Sequence, residues 1–246
     1  MKKRKIVFSV LALLLIGFVL FVYNEFNGNP ISKYFATQKL ESYLKETYPK
    51  KEFRVDPGSY NFKDKVFPYN VIEIGSTNSD NSGPKEYRFE LRGFIKPTVQ
   101  MDGIYTENLD QDLMAKIGKE AGGEIKTLLS QELKTIISVD VYVEFLKGTF
   151  PVDSHWNKSM KFEKPVWMHI YLDATNATKE QVFEDVLKLQ ATLNKHGYEY
   201  DSVNINANVI GDPKLSGKDD IGYVKFATSF KKNEVLKLKD VKEFNQ

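Results

Sequence analysis

Residues 166–209 read VWMHIYLDATNATKEQVFEDVLKLQATLNKHGYEYDSVNINANV, and this stretch decides the fold of the C-terminal half of the chain. It begins and ends with runs in which apolar residues alternate with polar or aromatic ones, which is typical of strands with one buried face. Between the runs, Thr178 and Gln181 have the spacing of a helix capping box, and Gly197 follows the last apolar residue of a helical pattern. The stretch therefore predicts strand, helix, strand.

Further strand-like runs lie on both sides of this stretch. Residues 139–145 alternate in the same way, residues 223–230 predict a last strand, and apolar residues recur at helical spacing from Leu109 to Ile136. The pair Gly122-Gly123 inside the helical run predicts a break into two helices or a kink. We expect a short polar helix at the C-terminus, so that the second domain, residues 106–246, is ββαββ after a long helix.

Residues 30–105 predict a first domain of the same α+β class. Pro30 suits the first turn of a helix, and apolar residues including Ile31 then recur at helical spacing as far as Pro49. Three strand-like runs follow, within residues 53–62, 66–74 and 87–95. We expect a helix followed by an antiparallel meander. The predicted fold class is α+β, with an N-terminal transmembrane helix followed by two small domains with antiparallel sheets.

The N-terminal 23 residues, MKKRKIVFSVLALLLIGFVLFVY, are typical of a membrane anchor. Residues 6–23 carry no charge, and a helix of this length covers roughly 27 Å, close to the hydrocarbon thickness of a bilayer. The four basic residues within 1–5 predict a cytoplasmic tail, which places the C-terminal domains outside the plasma membrane. The alternative is a cleaved export signal, although no A-x-A site follows the apolar run. Both interpretations export the remainder.

Composition and motifs exclude several classes of protein. The first five residues hold four of the 35 Lys and Arg and none of the 33 acidic residues, so the remainder carries a formal charge of −2 with both signs interleaved. No basic stripe for nucleic acid is therefore present. The absence of cysteine excludes disulfides and cysteine-ligated metals. Nucleotide-binding glycine motifs are also absent, so neither a cofactor nor a nucleotide partner is expected.

No catalytic or metal-binding motif is found either. The sequence has no HExxH, GxSxG or SxxK, and His155, His169 and His196 are scattered. Residues 78–83 imitate the start of a calcium loop, but its twelfth position is Phe89 where a bidentate Glu is needed, which favours a flexible polar loop. A carboxylate pair of the glycosidase kind stays open because acidic residues are plentiful.

One candidate ligand-binding surface emerges from residues that alternate with apolar positions on two predicted strands. Its members are Trp167, His169, Tyr171, Asn204, Asn206 and Asn208. If the two strands are neighbours, aromatic rings lie beside a row of amides, a mixture suited to carbohydrate or peptide recognition. Two alternatives stay open. A helix covers this face, as is common in α+β domains, or the face is an ordinary solvated sheet.

Two segments, FNGNPISKYFATQKLESYLKETYP (residues 26–49) and SYNFKDKVFPYNVIEIGS (residues 59–76), resemble the YfjL-like family of uncharacterised, single-span membrane-anchored bacterial proteins. The resemblance implies one N-terminal span, an N-terminal domain and a C-terminal domain. It assigns no role to any residue. Lysine- and asparagine-rich composition without cysteine also suits a Gram-positive bacterium.

Together these features predict a non-enzymatic, membrane-tethered interaction module at the bacterial cell envelope. Its expected partners are the lipid bilayer, through residues 6–23, and an envelope protein, peptide or cell-wall glycan. Two alternatives stay open, a carboxylate-dependent cell-envelope hydrolase and an accessory sensor subunit of a membrane complex. With only about five residues expected in the cytoplasm, a sensor would need a partner whose helix packs against the anchor.

Overall fold

The computed structural model describes residues 2–78, 83–211 and 222–244. The chain divides into two compact units, Met1–Asn108 and Leu109–Gln246. Each unit contains one sheet with helices. The predicted α+β class, with a long apolar N-terminal helix ahead of two sheets, is confirmed.

Helix α1 (Lys2–Asn27) is long and apolar enough to cross a membrane, and none of its most apolar 18-residue window is buried. Gly28 ends the helix in a left-handed conformation with φ of 74°, and its amide donates to the Asn24 carbonyl at 2.9 Å. The Asn29 side chain then caps α2 (Pro30–Thr47) by accepting from the Ile31 amide at 2.8 Å. The predicted helix beginning at Pro30 is confirmed.

The first sheet is a four-stranded antiparallel meander. Its strands, in spatial as in chain order, are β1 (Phe53–Pro57), β2 (Phe67–Glu73), β3 (Glu86–Arg92) and β4 (Thr98–Asp102). The sequence pattern predicts three strand-like runs and misses β4, because five residues directly after Pro97 are too few to establish an alternation. A short helix, α3 (Gly103–Glu107), follows β4.

Helix α2 packs on one face of this sheet. Its buried residues Ala36, Leu40 and Leu44 share a core with Tyr69, Val71, Phe89 and Leu91 of the strands. Ile31, expected on the apolar face of the helix, is 57% exposed.

The carboxylate of Asp102 connects α2 to the end of β4. The hydroxyls of Tyr43 and Tyr48 each donate to its Oδ2 at 2.7 Å, and the Tyr105 amide donates to its Oδ1 at 2.9 Å. Burial, followed by the Asp102 charge and hydrogen bond, raises the pKa of Tyr43 to about 12 and raises that of Tyr48 further. The two phenols therefore stay neutral across the physiological range.

The second unit has the predicted ββαββ order after a long helix. Its elements are α4 (Gln111–Leu129), β5 (Ile136–Tyr142), β6 (Trp167–Asp173), α5 (Lys179–Lys195), β7 (Ser202–Val209), β8 (Tyr223–Lys231) and β9 (Lys242–Glu243). The spatial order of the strands is that of the chain. Helix α5 is the crossover that makes β6 and β7 parallel, whereas the other neighbours are antiparallel. In place of the expected C-terminal helix, a 3₁₀ turn (Leu238–Asp240) precedes β9.

The expectations for the two helices of this unit have different outcomes. The Thr178 and Gln181 capping box of α5 is confirmed. Helix α4, in contrast, continues as one helix across Gly122. A Cβ at Gly118 or Gly122 would lie 2.4 or 2.3 Å from a carbonyl oxygen of β5, so glycine here permits close packing of the helix on that strand. Ile136, predicted to extend the helix, begins β5 instead.

Both long helices of the second unit contribute to one core on one side of the sheet. The cluster holds apolar residues of α4 and α5 together with the inward side chains of β6 and β7, among them Ile117, Ile125, Val186, Leu189, Met168, Ile170, Leu172, Val203, Ile205 and Ala207. Because side chains alternate along a strand, the residues between these point to the other face.

Candidate ligand-binding face

The two strands that carry the predicted surface are direct neighbours. In the parallel pairing of β6 with β7, His169 lies opposite Asn204 and Tyr171 lies opposite Asn206. The adjacent residues Met168, Ile170 and Ile205 point into the core with α4 and α5. The candidate residues therefore occupy the face turned away from both helices, and within the described part of this unit the covering-helix alternative does not hold.

We call this surface the open face of the second sheet. Its centre consists of outward residues of four strands: Ser138, Asp140 and Tyr142 on β5; Trp167, His169 and Tyr171 on β6; Ser202, Asn204 and Asn206 on β7; and Ala227 and Ser229 on β8. Hydroxyls, amides and aromatic rings dominate this centre, in which Asp140 lies opposite His169. Charged residues also border it, with Asp173 at the end of β6, Lys231 opposite Ser202 and Lys242 opposite Ala227.

The aromatic end of the open face is built across strands. Tyr142 lies opposite Trp167, and their rings stack with centroids 3.8 Å apart and an angle of 6° between their planes. Trp167 is 39% exposed and Tyr142 is 42% exposed, so the edges of both rings reach solvent. Stacking fixes the ring orientations before a ligand arrives, which lowers the entropy lost on binding. Sequence reasoning missed Tyr142, because its own strand pattern does not reveal which strand lies beside it.

His169 occupies the middle of the open face. Its ring stacks on Tyr171 at 4.4 Å with a 10° angle between planes, and Asp140 is its neighbour on β5. The Nε2 atom of His169 is buried without a hydrogen-bond partner among the described residues. Burial, then the charge of Asp140, raises the pKa of Tyr142. A buried imidazole nitrogen without a partner is costly, so a ligand group that reached it would bind with an added gain.

The amide row is shorter than the sequence predicts. Asn204 and Asn206 are half-buried, and in residues 2–78, 83–211 and 222–244 no side-chain hydrogen bond involves either of them. Asn208 lies opposite Asp173, next to a register shift in β7, and is only 1% exposed. The accessible amides are therefore those of Asn204 and Asn206, each able to donate and to accept.

The other two histidines stabilise local structure. Glu120 of α4 accepts from the Trp156 amide at 2.7 Å and lies 2.9 Å from His155 Nδ1, which holds the segment around residue 155 against the helix. The Trp156 amide and then His155 lower the pKa of Glu120. His196 is the C-terminal cap residue of α5. Neither position suggests catalysis.

The described residues form neither a metal site nor an evident acid–base pair. No group of three or more His, Asp or Glu side chains could hold a metal ion there, although residues 79–82 of the calcium-loop resemblance lie outside them. Burial pushes the pKa of Glu73 up, but hydrogen bonds from Lys51 and Tyr87 outweigh it and lower the pKa. Glu73 and Glu120 thus both shift in the direction opposite to that of a general acid.

A long apolar N-terminal helix and two sheets, one of which leaves an aromatic and amide face uncovered by the helices of its own unit, define a two-domain α+β protein. The chain belongs to the YfjL-like family. Residues 3–103 match the YfjL-like N-terminal domain and residues 120–242 match the YfjL-like C-terminal domain.

A curated relative supports this assignment over nearly the whole chain. The Uncharacterized protein YfjL of Bacillus subtilis (strain 168) is 32% identical over 243 residues, which cover 98% of each chain. This source agrees with the Gram-positive origin expected from composition. No solved structure matches the chain. The two domain matches and this relative confirm the predicted resemblance.

Proposed function

We propose that the chain is a membrane-tethered, extracytoplasmic interaction module without enzymatic activity, which binds a peptide or glycan of the cell envelope on the open face of the second sheet. The observation that carries the proposal is the stacked Tyr142–Trp167 pair beside the side-chain amides of Asn204 and Asn206, which have no hydrogen-bond partner among the described residues.

The tether is supported by the exposure of α1. Large apolar side chains such as Phe8, at 69% exposure, and Leu13, at 68%, surround the helix, and exposed apolar surface on this scale requires an apolar solvent. The basic residues Lys2 to Lys5 precede the apolar stretch and favour a cytoplasmic N-terminus. Both domains would then lie outside the membrane.

The binding role is supported by the chemistry of the open face. Ring edges and a stacked pair give apolar contact area with little conformational entropy to lose, and amides supply paired donors and acceptors. Sugars with N-acetyl groups and peptide backbones present the matching donors, acceptors and apolar faces. Asp140 lies opposite His169, and the next carboxylate on this face, Asp173, is four residues further along β6, or about 13 Å away, which is too far for a hydrolytic pair.

The test is a titration of the full chain, reconstituted in lipid nanodiscs, with enzymatically solubilised peptidoglycan fragments and with a library of extended peptides. Trp167→Ala and the pair Asn204→Ala with Asn206→Ala should each weaken binding by about tenfold or more. The matched control is Arg88→Ala on the outward face of the first sheet, which should bind as the unchanged chain does. Equal binding by all variants would contradict the proposal, and turnover of the fragments would favour the hydrolase instead.

A further inference from the structure

The end of the first domain that meets α1 differs from its opposite end. We define the anchor-side tip as the loop 58–66, between β1 and β2, and the turn 93–97, between β3 and β4. In the register of the sheet, Phe67 lies opposite Leu91, so the loop and the turn are at the same end. The side chain of Arg92 connects them by donating to the Asp64 carbonyl at 2.9 Å.

The tip contacts the last turn of α1 directly. The rings of Phe62 and Phe26 are 5.3 Å apart, and Lys65 Nζ is 3.4 Å from Glu25 Oε2. Phe26 comes three residues after the predicted span, or about 4.5 Å along the helix. The polar headgroup layer on each side of a bilayer is roughly 5–8 Å thick, so Phe26 and the ring packed on it lie at headgroup depth.

The composition of the tip is that of a membrane interface. Phe62, Phe94 and Ile95 are 46%, 52% and 57% exposed. Together with the adjoining Arg92, the tip has four basic residues, Lys63, Lys65, Arg92 and Lys96. Asp64 is its one acidic residue. Apolar side chains flanked by Lys and Arg are the groups that partition into the interfacial layer and contact lipid phosphates.

The opposite end of the same sheet provides the contrast. Strand β2 runs from Phe67 to Glu73, which separates the two ends by about 20 Å. Within the described residues of the connection 74–85, Ile74 is the one large apolar side chain that is exposed, at 56%. The exposed apolar residues are thus concentrated where α1 joins the domain.

We propose that the anchor-side tip docks on the bilayer surface, with Phe62, Phe94 and Ile95 inserted among the lipid headgroups and the basic residues on lipid phosphates. The inference rests on the proposed membrane tether and adds to it that the first domain lies on the membrane. The occupant of the exposed apolar surface is lipid because that surface is continuous with the apolar helix α1.

The absence of cysteine makes a site-specific test direct. Full chains with Ile95→Cys or Ile74→Cys, two isoleucines of nearly equal exposure at opposite ends of the sheet, are labelled with an environment-sensitive fluorophore. They are reconstituted in phosphatidylcholine and phosphatidylglycerol vesicles that contain nitroxide-quencher lipids. We expect a blue shift and quenching at position 95 and neither at position 74. Adding Phe62→Ser and Phe94→Ser to the Ile95→Cys chain should abolish the quenching.

A label at Leu14→Cys reports on the span in the same vesicles. If it is quenched while position 95 behaves like position 74, the docking is overturned and the tether stands. If Leu14→Cys is also unquenched, the tether fails and the docking fails with it. Quenching at position 95 that persists in the double serine variant would overturn the assignment to these side chains.

Discussion

The two sheets have similar helix-backed designs but differ in their outward faces. On the first sheet, charged side chains satisfy one another, as Arg54 does with Asp56 at 3.1 Å and Arg88 with Glu90 at 2.6 Å. Asn70 likewise donates to Glu86 at 2.8 Å. On the second sheet, the open face has stacked rings and amides that make no such bonds with described residues. A surface whose polar groups are already paired offers a ligand few free donors and acceptors, and this difference favours the second sheet as the proposed binding surface.

The largest expected difference in stability is between substitutions on the helix-covered side and on the open side of β6 and β7. Ile170 is fully buried, and Ile170→Ala should lower the free energy of unfolding by about 2–5 kcal/mol. Asn206, on the open side of β7, has no side-chain partner among described residues, and Asn206→Ala should change stability by about 0.5 kcal/mol or less. Chemical denaturation of both variants measures the difference. A large loss of stability in Asn206→Ala would show that the open face stabilises the fold, which would contradict the comparison.

A second test addresses the helix-covered side through two adjacent glycines. A Cβ at Gly122 would lie 2.3 Å from the Val139 carbonyl oxygen, so Gly122→Ala should cost about 1–3 kcal/mol despite the better helix propensity of alanine. A Cβ at Gly123 would meet no neighbouring atom within 4 Å, so Gly123→Ala should be neutral or stabilising by up to about 1 kcal/mol. Thermal unfolding of the pair measures both. Equal effects would mean that α4 does not pack closely on β5.

The third test uses pH to separate the two units. In the folded state the pKa of Tyr43 is raised to about 12 from 10.0. The contribution of this group to the free energy of unfolding is therefore complete below about pH 10 and is lost as the pH rises towards about 12. Asp102→Asn removes the charge that favours the neutral phenol and should make this loss shallower in the first unit. Tyr200, whose pKa is raised to about 12 by burial and then by Glu199, serves as the control in the second unit. The measurement is the free energy of unfolding of each unit as a function of pH. If the profile of the first unit is the same in Asp102→Asn as in the unchanged chain, the role of Asp102 is refuted.

The smallest effect is expected on the outward face of the first sheet. Arg88 is 61% exposed in its ion pair with Glu90, and exposed pairs contribute about 0–1 kcal/mol. A double-mutant cycle with Arg88→Ala and Glu90→Ala should give a coupling free energy in that range that shrinks at high salt. A coupling well above it would show that this face is more than a solvated surface.

Local signals in the sequence predicted a large part of the fold. Thr178 and Gln181 identify the start of α5 because a capping box is satisfied by residues three apart. Alternation placed β6, β7 and the candidate residues on one face of each strand, since the side-chain period of a strand is two. The apolar N-terminal helix and the family resemblance could also be predicted, because each depends on a contiguous stretch of sequence.

What the sequence could not predict depends on residues far apart in the chain. Tyr142 meets Trp167 only through strand pairing, which no local pattern encodes. Gly122 suggested a helix break because glycine is a poor helix former, whereas the structure uses it for close contact with β5. The burial of Asn208 occurs next to a register shift against β8, and the two parts of the anchor-side tip are connected by Arg92 and Asp64, which are 28 residues apart.

The junction between α1 and α2 sets how far the first domain can travel. Gly28 is buried, and a Cβ there would lie 2.8 Å from side-chain atoms of both Tyr60 and Phe67, so the connection is packed and has no slack. A flexible linker would let a tethered domain sweep a volume that grows with linker length. In the proposed arrangement the first domain instead keeps one height and orientation above the lipid. Its search for partners becomes two-dimensional, and those in the same thin layer are met at a high local concentration.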